Sequence, residues 1–423
     1  MSPVVRCGVS SIVALVCAMA PGATAGAQAP VITRRNTPAT SRAISRAEAV
    51  ALALSSSTRH TLARSDVASA TAQLSAARQY ENPALTTSYS SAAPQAHVTL
   101  DVPIDWPGLR APRIAAARAQ LGAATVRLTL ADVLLAFDTD TAYTRAQALA
   151  AQADLLAATA RDADSLLVLA RVRRDAGDAS DLDVEIATLS AGQLANAASV
   201  AFTSTATALL RLQRIMGVST DSVQFVLADT MGFTAPTPVA PPDVTTGVPL
   251  TVAAADLDVR AAEALARLER RRSAGAPSLT LGVEAVNPGG PGGPLPLVGV
   301  SLPLPLFNRN RAAIARADAD LVRGRTQLRQ AQLEQQFDVR LAQTEALAAR
   351  RRAEQSLRLL ASAERVGALS LLAYREGATT LVSVIEAQRV AREARAQWLE
   401  DLAAVQIAER VQQLLSFRLS TTP

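Results

Sequence analysis

The sequence has 423 residues, 49% hydrophobic but only 3% aromatic and 19% charged, with a formal net charge of +5. Its 42 basic side chains are all arginine and are spread beside Asp and Glu, which argues against a nucleic-acid footprint; Arg270 to Arg272, one of two runs of three, reads as a solvated helix face. Both cysteines, Cys7 and Cys17, precede residue 28, so a chain starting there has no disulfide, thiolate metal ligand or cysteine nucleophile.

Residues 1–27 have the three-part layout of a secretory signal peptide: Arg6, an apolar run over 9–20, then Ala25-Gly26-Ala27. The run is too short to span a bilayer, and no later window is expected to offer the ~20 apolar residues a transmembrane helix needs. Val16 before Cys17 speaks against lipid attachment. After an N-terminal segment over 28–43, Ser45-Arg46-Ala47-Glu48 is a capping box that starts a helix predicted to reach about Gln79. The period then changes to two, and residues 84–90 and 97–106 read as a β-hairpin. Residues 113–174 follow as a helix about 90 Å long, too long for an ordinary globular domain unless similar helices pack against it. Gly177 ends it, and a second long helix covers 181–216. A proline-rich linker is expected over 224–248. The same order then returns: hairpin strands over 278–286 and 297–306 around Asn287-Pro-Gly-Gly-Pro-Gly-Gly-Pro294, a helix over 311–374, Gly377, a helix over 381–415, and a tail over 418–423. In the last helix Val384, Ala391, Trp398 and Val405 recur at sevens until Gln412 breaks the seam.

This return is a duplication. Residues 98–121 lie over 298–321 without a gap, matching Pro103 with Pro303, Ile114 with Ile314, Ala117 with Ala317 and Leu121 with Leu321. The offset persists where Gly177, Ser180, Val184 and Ala187 meet Gly377, Thr380, Val384 and Ala387. The chain therefore divides into halves at 44–223 and 249–417, far longer than solenoid repeats. The expected class is mainly α with a small β part.

Strands of about ten residues in a secreted chain fit outer-membrane β-structure. Four strands cannot close, and a sheet in lipid must leave no unpaired edge, so copies would have to share one barrel. Two copies give eight strands and a filled interior; three give twelve and room for a bore. Tyr80, Tyr89, Trp106 and Phe307 near strand ends suit interfacial aromatics. A soluble hairpin capped by helices is the other reading of the same strands.

With its opening Ala47-Glu48-Ala49-Val50-Ala51-Leu52-Ala53-Leu54, two hairpins, paired long helices and duplication, the chain resembles the TolC-like outer-membrane efflux proteins over nearly its whole length. The resemblance implies a homotrimer with a twelve-stranded barrel in outer-membrane lipid and an α-helical barrel in the periplasm. It also implies a periplasmic adaptor (membrane fusion protein) and an inner-membrane pump of RND type as partners. Pro303-Leu-Pro-Leu-Phe-Asn-Arg-Asn-Arg311 looks like the second barrel-to-helix junction of CzcC-like heavy-metal efflux channels. By the same resemblance, Pro103, Trp106, Pro303, Phe307 and Asn308 belong to the junctions, and Gly177 and Gly377 to the hairpin tips. Tyr374-Arg-Glu-Gly377 through Glu386 matches the family's constriction, with Ser383 in place of an acidic residue and Thr379 in place of an arginine. Asp183 is the acidic position of the first half.

These residues carry charge, not bond-making chemistry. Threefold symmetry would make a carboxylate ring of Glu386 that attracts cations; alternatively Asp181 and Asp183 cap a helix start, where its dipole favours them. His60 and His97, the two histidines, stand in no metal-ligand spacing. No enzyme and no cofactor is expected; a metal would be cargo, and divalent cations or drugs are the substrates implied. A type I protein-secretion duct of the same fold, or a periplasmic coiled-coil scaffold or adaptor, are the competing readings.

Overall fold

Ser45 closes the predicted capping box: its hydroxyl accepts from the Glu48 amide, and the Glu48 carboxylate accepts from the Ser45 N–H at 2.9 Å. The computed structural model describes residues 42–91, 96–105, 107–218, 222–231, 247–273, 275–285 and 294–419. The signal peptide, most of the N-terminal segment, Trp106, residues 232–246 of the linker and all but the last residue of the run 287–294 lie outside these.

Strand β1 (Arg42–Ile44) precedes helix α1 (Arg46–Ser56) and helix α2 (Thr58–Arg78), so the single helix expected to Gln79 is two. Ser57 is the reason. Its backbone is extended, its N–H still reaches the Ala53 carbonyl, and its hydroxyl accepts from Arg59 N, so one buried residue ends a helix and caps the next. Strands β2 (Ala84–Tyr89) and β3 (Ala96–Pro103) follow, then helices α3 (Pro107–Asp175) and α4 (Asp181–Ile215). Strand β4 (Phe225–Leu227) opens the interval expected as linker and pairs in parallel with β1. The pairing buries Phe225 with Ile44, Tyr143, Leu212 and Met216, an apolar cluster that no free linker could satisfy.

The second half comprises β5 (Val248–Pro249), α5 (Leu250–Arg272), β6 (Ser278–Ala285), β7 (Leu295–Ser301), α6 (Arg311–Arg375), α7 (Leu381–Ser416) and β8 (Arg418–Leu419). β8 pairs antiparallel with β5, so the tail beyond 417 begins as structure. β7 stops at Ser301, short of the expected Leu306, because Pro303 and Pro305 have no N–H to offer a ladder.

The two hairpins do not stand apart. They join into one antiparallel sheet of order β2-β3-β6-β7, with β3 on β6 from Ala96↔Ala285 to Pro103↔Ser278. Helix α3 has 69 residues and α6 has 65, so each is about 100 Å long. Side by side the long helices run α4-α3-α7-α6, with α2 and α5 against α3 and α5 also against α6. Buried alanines, among them Ala163, Ala170, Ala187, Ala349 and Ala353, let the helices come close. The predicted seam of α7 is present: Val384 and Val405 are buried, Ala391 and Trp398 half-buried. One expectation is corrected. Within α3, an 18-residue stretch of mean hydropathy 1.3 makes this helix long and apolar enough, by length and composition, to cross a membrane. In the protomer α3 packs against α2, α4, α5 and α7.

Candidate functional site

Strand alternation makes the sheet two-faced. Across the register, Leu85, Tyr89, Val98, Leu100, Leu281, Val283, Val298 and Val300 share one face, and most of them are exposed. The other face carries Thr86, Ser88, His97, Thr99, Asp101, Ser278, Thr280 and Glu284. There His97 Nδ1 lies 3.3 Å from Glu284 Oε1 across the ladder, and the Thr280 hydroxyl donates to Asp101.

Below the sheet, two junctions pass into the helices by different chemistry. At the first, Pro103 ends β3 and Ile104 N donates to Pro277 O at 2.9 Å. Asp105, nearly buried, takes Arg110 Nε and Arg113 Nη2, each at 3.0 Å. At the second, Pro303 packs against Gly275, where a Cβ would meet its Cγ at 2.5 Å. Asn308 accepts from Asn310 N at 3.0 Å. Asn310 is left-handed (φ 56°) and its side chain donates to both the carbonyl and the carboxylate of Glu269, 2.9 Å each. Phe307 is fully exposed, and Leu302, Leu304 and Leu306 are largely exposed. Asp105 and Asn310 were not singled out from sequence. Asp105, a lone acid between a strand and an arginine-rich helix start, was the available signal.

At the far end of the long helices, Gly177 (φ 83°) and Gly377 (φ 74°) terminate α3 and α6 in the same way. Asp178 N reaches Arg173 O and Gly177 N reaches Arg174 O; Ala378 N reaches Ala373 O and Gly377 N reaches Tyr374 O. Ser180 and Asp183 then form a reciprocal cap on α4, with Asp183 Oδ2 accepting from Ser180 N at 3.0 Å and from its hydroxyl at 2.9 Å. Thr380 caps α7 alone: Ser383, at the position of Asp183, has no carboxylate to return, and its hydroxyl lies 3.0 Å from that of Thr380. The tips pack on each other through Leu166, Ala170, Val184 and Ala187 of the first half and Tyr374, Leu381 and Val384 of the second. Tyr374 is buried, and its hydroxyl has no partner among the described residues. Thr379 is half-buried in the turn.

Glu386 is exposed and bound by its own helix. Arg389 Nε and Nη2 donate to its two oxygens at 2.9 and 2.6 Å, while Arg389 Nη1 also reaches Glu393 at 2.5 Å. The Arg389 hydrogen bond holds the Glu386 carboxyl below its ordinary range. The structure thus brings Tyr374 and Asp183 into the tip, and gives Glu386 a counter-charge that the sequence reading did not assign.

Between tip and sheet, a polar cluster ties the halves together. Arg46 donates to Asp140 (2.9 Å), Thr144 (3.1 Å), Gln147 (2.8 Å) and Gln406 (3.2 Å). Arg410 of α7 stands 2.7 Å from the second oxygen of Asp140. Beside them the Tyr143 hydroxyl lies 2.9 Å from both Ile44 O and Asp229 Oδ2. An open cleft of about 940 Å³ adjoins this cluster, lined by Val50, Leu54, Phe137, Leu414 and Phe417 among others. Among the described residues, no group of three His, Cys, Asp or Glu is placed to hold a metal.

No protein-family model matches the sequence, and no curated protein is significantly similar to it. Solved structures are similar in fold. A membrane protein from Pseudomonas aeruginosa superposes with a TM-score of 0.73 at 20% identity, covering 88% of this chain and 90% of the other. CusC, whose structures concern folding and transmembrane channel formation, gives 0.71 at 17% identity over 88% and 92%. The Campylobacter jejuni outer-membrane channel CmeC gives 0.72 at 13% identity over 89% and 86%. At these identities it is the fold that is shared, along almost the whole described chain: the TolC-like fold of the outer-membrane channels.

Proposed function

We propose that the chain is the outer-membrane exit duct of a tripartite efflux system: a homotrimer that passes substrate, with no chemistry of its own, from an inner-membrane pump and a periplasmic adaptor to the exterior. The carrying observation is that each layer of the protomer is open on two sides in the same sense. The sheet ends on β2 of the first half and β7 of the second; the helix layer ends on α4 of the first half and α6 of the second. Edge strands in lipid need partners. Exposed apolar side chains on the outer helices, Leu189, Val200 and Phe202 of α4 and Leu333, Phe337 and Leu347 of α6, need cover as well. One head-to-tail contact between copies satisfies both layers at once, and such contacts form a ring when the rotation per copy divides a full turn, as a third of a turn does. Four alternating strands per copy place β2 antiparallel to the next copy's β7, and three copies leave a bore.

Within this reading the apolar face of the sheet meets lipid, and the α-helical barrel lies in the periplasm with Gly177 and Gly377 at its constricted end. Thr379, Ser383, Glu386 and Asp183 line that constriction with Tyr374 packed behind them, and Arg389 moderates the charge that Glu386 contributes. The adaptor docks near this end, the pump is of RND type, and the cargo is a divalent metal cation or a drug. The metal-ion form of the proposal rests on the likeness of residues 303–311 to CzcC-like channels. The test is cross-linking and native mass measurement of protein extracted from the outer-membrane fraction, followed by conductance in planar bilayers. A conducting trimer is expected; a soluble periplasmic monomer overturns the duct and leaves the scaffold reading in its place.

A further inference from the structure

We infer that the bore of the β-barrel is itself a cation-selective element, set by Asp101 and Glu284 and weakened at low pH by His97. The inference rests on the duct reading above and deepens it by placing substrate charge selection in the sheet.

The argument starts from where charge is absent. In a chain with 42 arginines, strands β2, β3, β6 and β7 contain none, and neither do the sequences joining the strands of each hairpin, residues 90–95 and 286–294. The acidic side chains of the four strands are Asp101 and Glu284, and the one imidazole is His97. All three fall on one face. The register sets His97 opposite Glu284 and Asp101 opposite Thr280, in line with Thr86, Ser88, Thr99 and Ser278 and with Leu295 and Leu297 of β7, while the other face, Thr87 apart, is apolar and mostly exposed. A barrel in lipid turns its apolar face outward and its polar face to the lumen. Three copies therefore bring six carboxylates and three imidazoles to the bore with no arginine to offset them. Rings of carboxylates in a narrow aqueous pore with low-dielectric walls concentrate cations and repel anions.

The tip is the contrasting place. There Glu386 is hydrogen-bonded by Arg389, which Glu393 shares, and Arg173 adds another cation beside Tyr374. In the four strands no arginine offsets the carboxylates, and the basic side chain among them is His97, 3.3 Å from Glu284. Histidine is the side chain that ordinarily changes charge between pH 5 and 8. The groups facing His97 are Glu284 on β6, 3.3 Å away, and the uncharged Ser88 on β2; Asp101 and Thr99 share its strand and face. Protonation of His97 adds one positive charge per copy beside Glu284 and reduces the negative charge of the bore.

The experiment is the reversal potential of the purified full-length protein in planar bilayers under an about tenfold KCl gradient. Expected are cation preference at pH 8 in the wild type and a fall of at least about twofold in the K⁺/Cl⁻ permeability ratio in Asp101→Asn/Glu284→Gln. The wild-type preference should also fall at pH 5.5, and His97→Gln should remove most of that pH dependence. Unchanged heat-modifiable mobility and conductance check that the variants assemble. A double variant that conducts with the wild-type reversal potential overturns the inference while leaving the duct standing. A shift by Glu386→Gln as large as that of the double variant also overturns it, by moving selection to the tip. A wild-type protein that never conducts removes the duct reading and this inference with it.

Discussion

Arg173, near the end of α3, lies over the ring of Tyr374 at the end of α6, 4.7 Å from its centroid, and its Nη1 donates to the Tyr374 carbonyl at 2.9 Å. One side chain of the first half thus holds the tip of the second. The duplication has no counterpart to it, because the residue 200 positions on is Ala373. A cation over a ring and one charged hydrogen bond together stabilise the apposed tips by about 2 kcal/mol. Arg173→Gln is expected to widen the distance distribution between spin labels at Asp178→Cys and Ala378→Cys, and Arg173→Lys to widen it less. Tyr374→Phe should leave it unchanged, since the hydroxyl has no partner among the described residues. A widening in that variant would instead locate its partner on a neighbouring copy.

Asp140 sits between two arginines, Arg46 at 2.9 Å and Arg410 at 2.7 Å, where α1, α3 and α7 meet. Its side chain is 11% exposed. Asp140→Ala leaves both cations together with no counter-charge, which costs about 3 kcal/mol or more. Arg46→Met leaves Asp140 paired with Arg410 and costs less, about 2 kcal/mol for the lost charged hydrogen bonds. Thermal melts of the detergent-extracted protein should rank the two variants in that order; the reverse order would mean that the hydrogen bonds of Arg46 to Thr144, Gln147 and Gln406 dominate the cluster.

Much of this architecture was legible because it is local or repeated. Ser45 and Glu48 announce their cap within four residues, and the 200-residue offset carried the second hairpin and helix pair from the first. Apolar and polar alternation told strand from helix at Val98 to Val102 as well as at Leu279 to Val283. What escaped is non-local. Nothing near Arg42 says that it will lie beside Phe225, nor near Val248 that Leu419 is its partner. The break at Ser57 was hidden because serine is tolerated in a helix and the apolar spacing runs on past it. At the candidate site, Tyr374, Gly377 and Asp183 could be placed from the tip motif, whereas the counter-ion of Glu386 was missed although Arg389 lies three residues away on the same helix face. Arg173 was missed because its partner is 201 residues distant. Pro303 marked its junction, and the residues that hold the junctions, Asp105 and Asn310, show their role only through contacts with other elements.

Burial is the largest cause that pushes the Tyr143 phenol up, to about 12 from an ordinary 10, and Asp229 beside it adds to the shift. The raised value means that folding favours the protonated form. Its stabilising contribution is complete below pH 10 and is lost as pH rises from 10 through 12. A difference titration of phenolate absorbance between wild type and Tyr143→Phe should show a midpoint near 12. Over the same interval the wild-type melting temperature should fall more steeply than that of Tyr143→Phe. A midpoint near 10 would mean that Tyr143 is hydrated and that the Ile44 and Asp229 contacts do not persist in solution.

Gly217 and Gly177 both end long helices with positive φ, 78° and 83°, yet their surroundings differ. A Cβ at Gly177 would meet nothing within 4 Å, so Gly177→Ala carries only the strain of a left-handed alanine, about 1 kcal/mol. A Cβ at Gly217 would lie 2.4 Å from the Ser56 carbonyl oxygen and 3.0 Å from Ser57 Cα. Backbone cannot swing aside as a side chain can, and here it is the backbone that ends α1 and caps α2. Gly217→Ala should therefore cost about 3 kcal/mol, the same strain plus a clash at the α1–α2 break. Thermal melts of the two variants under one set of conditions separate the contributions: a clearly lower melting temperature for Gly217→Ala is expected, and equal losses would place the whole cost in φ and deny the close approach of α4 to Ser56.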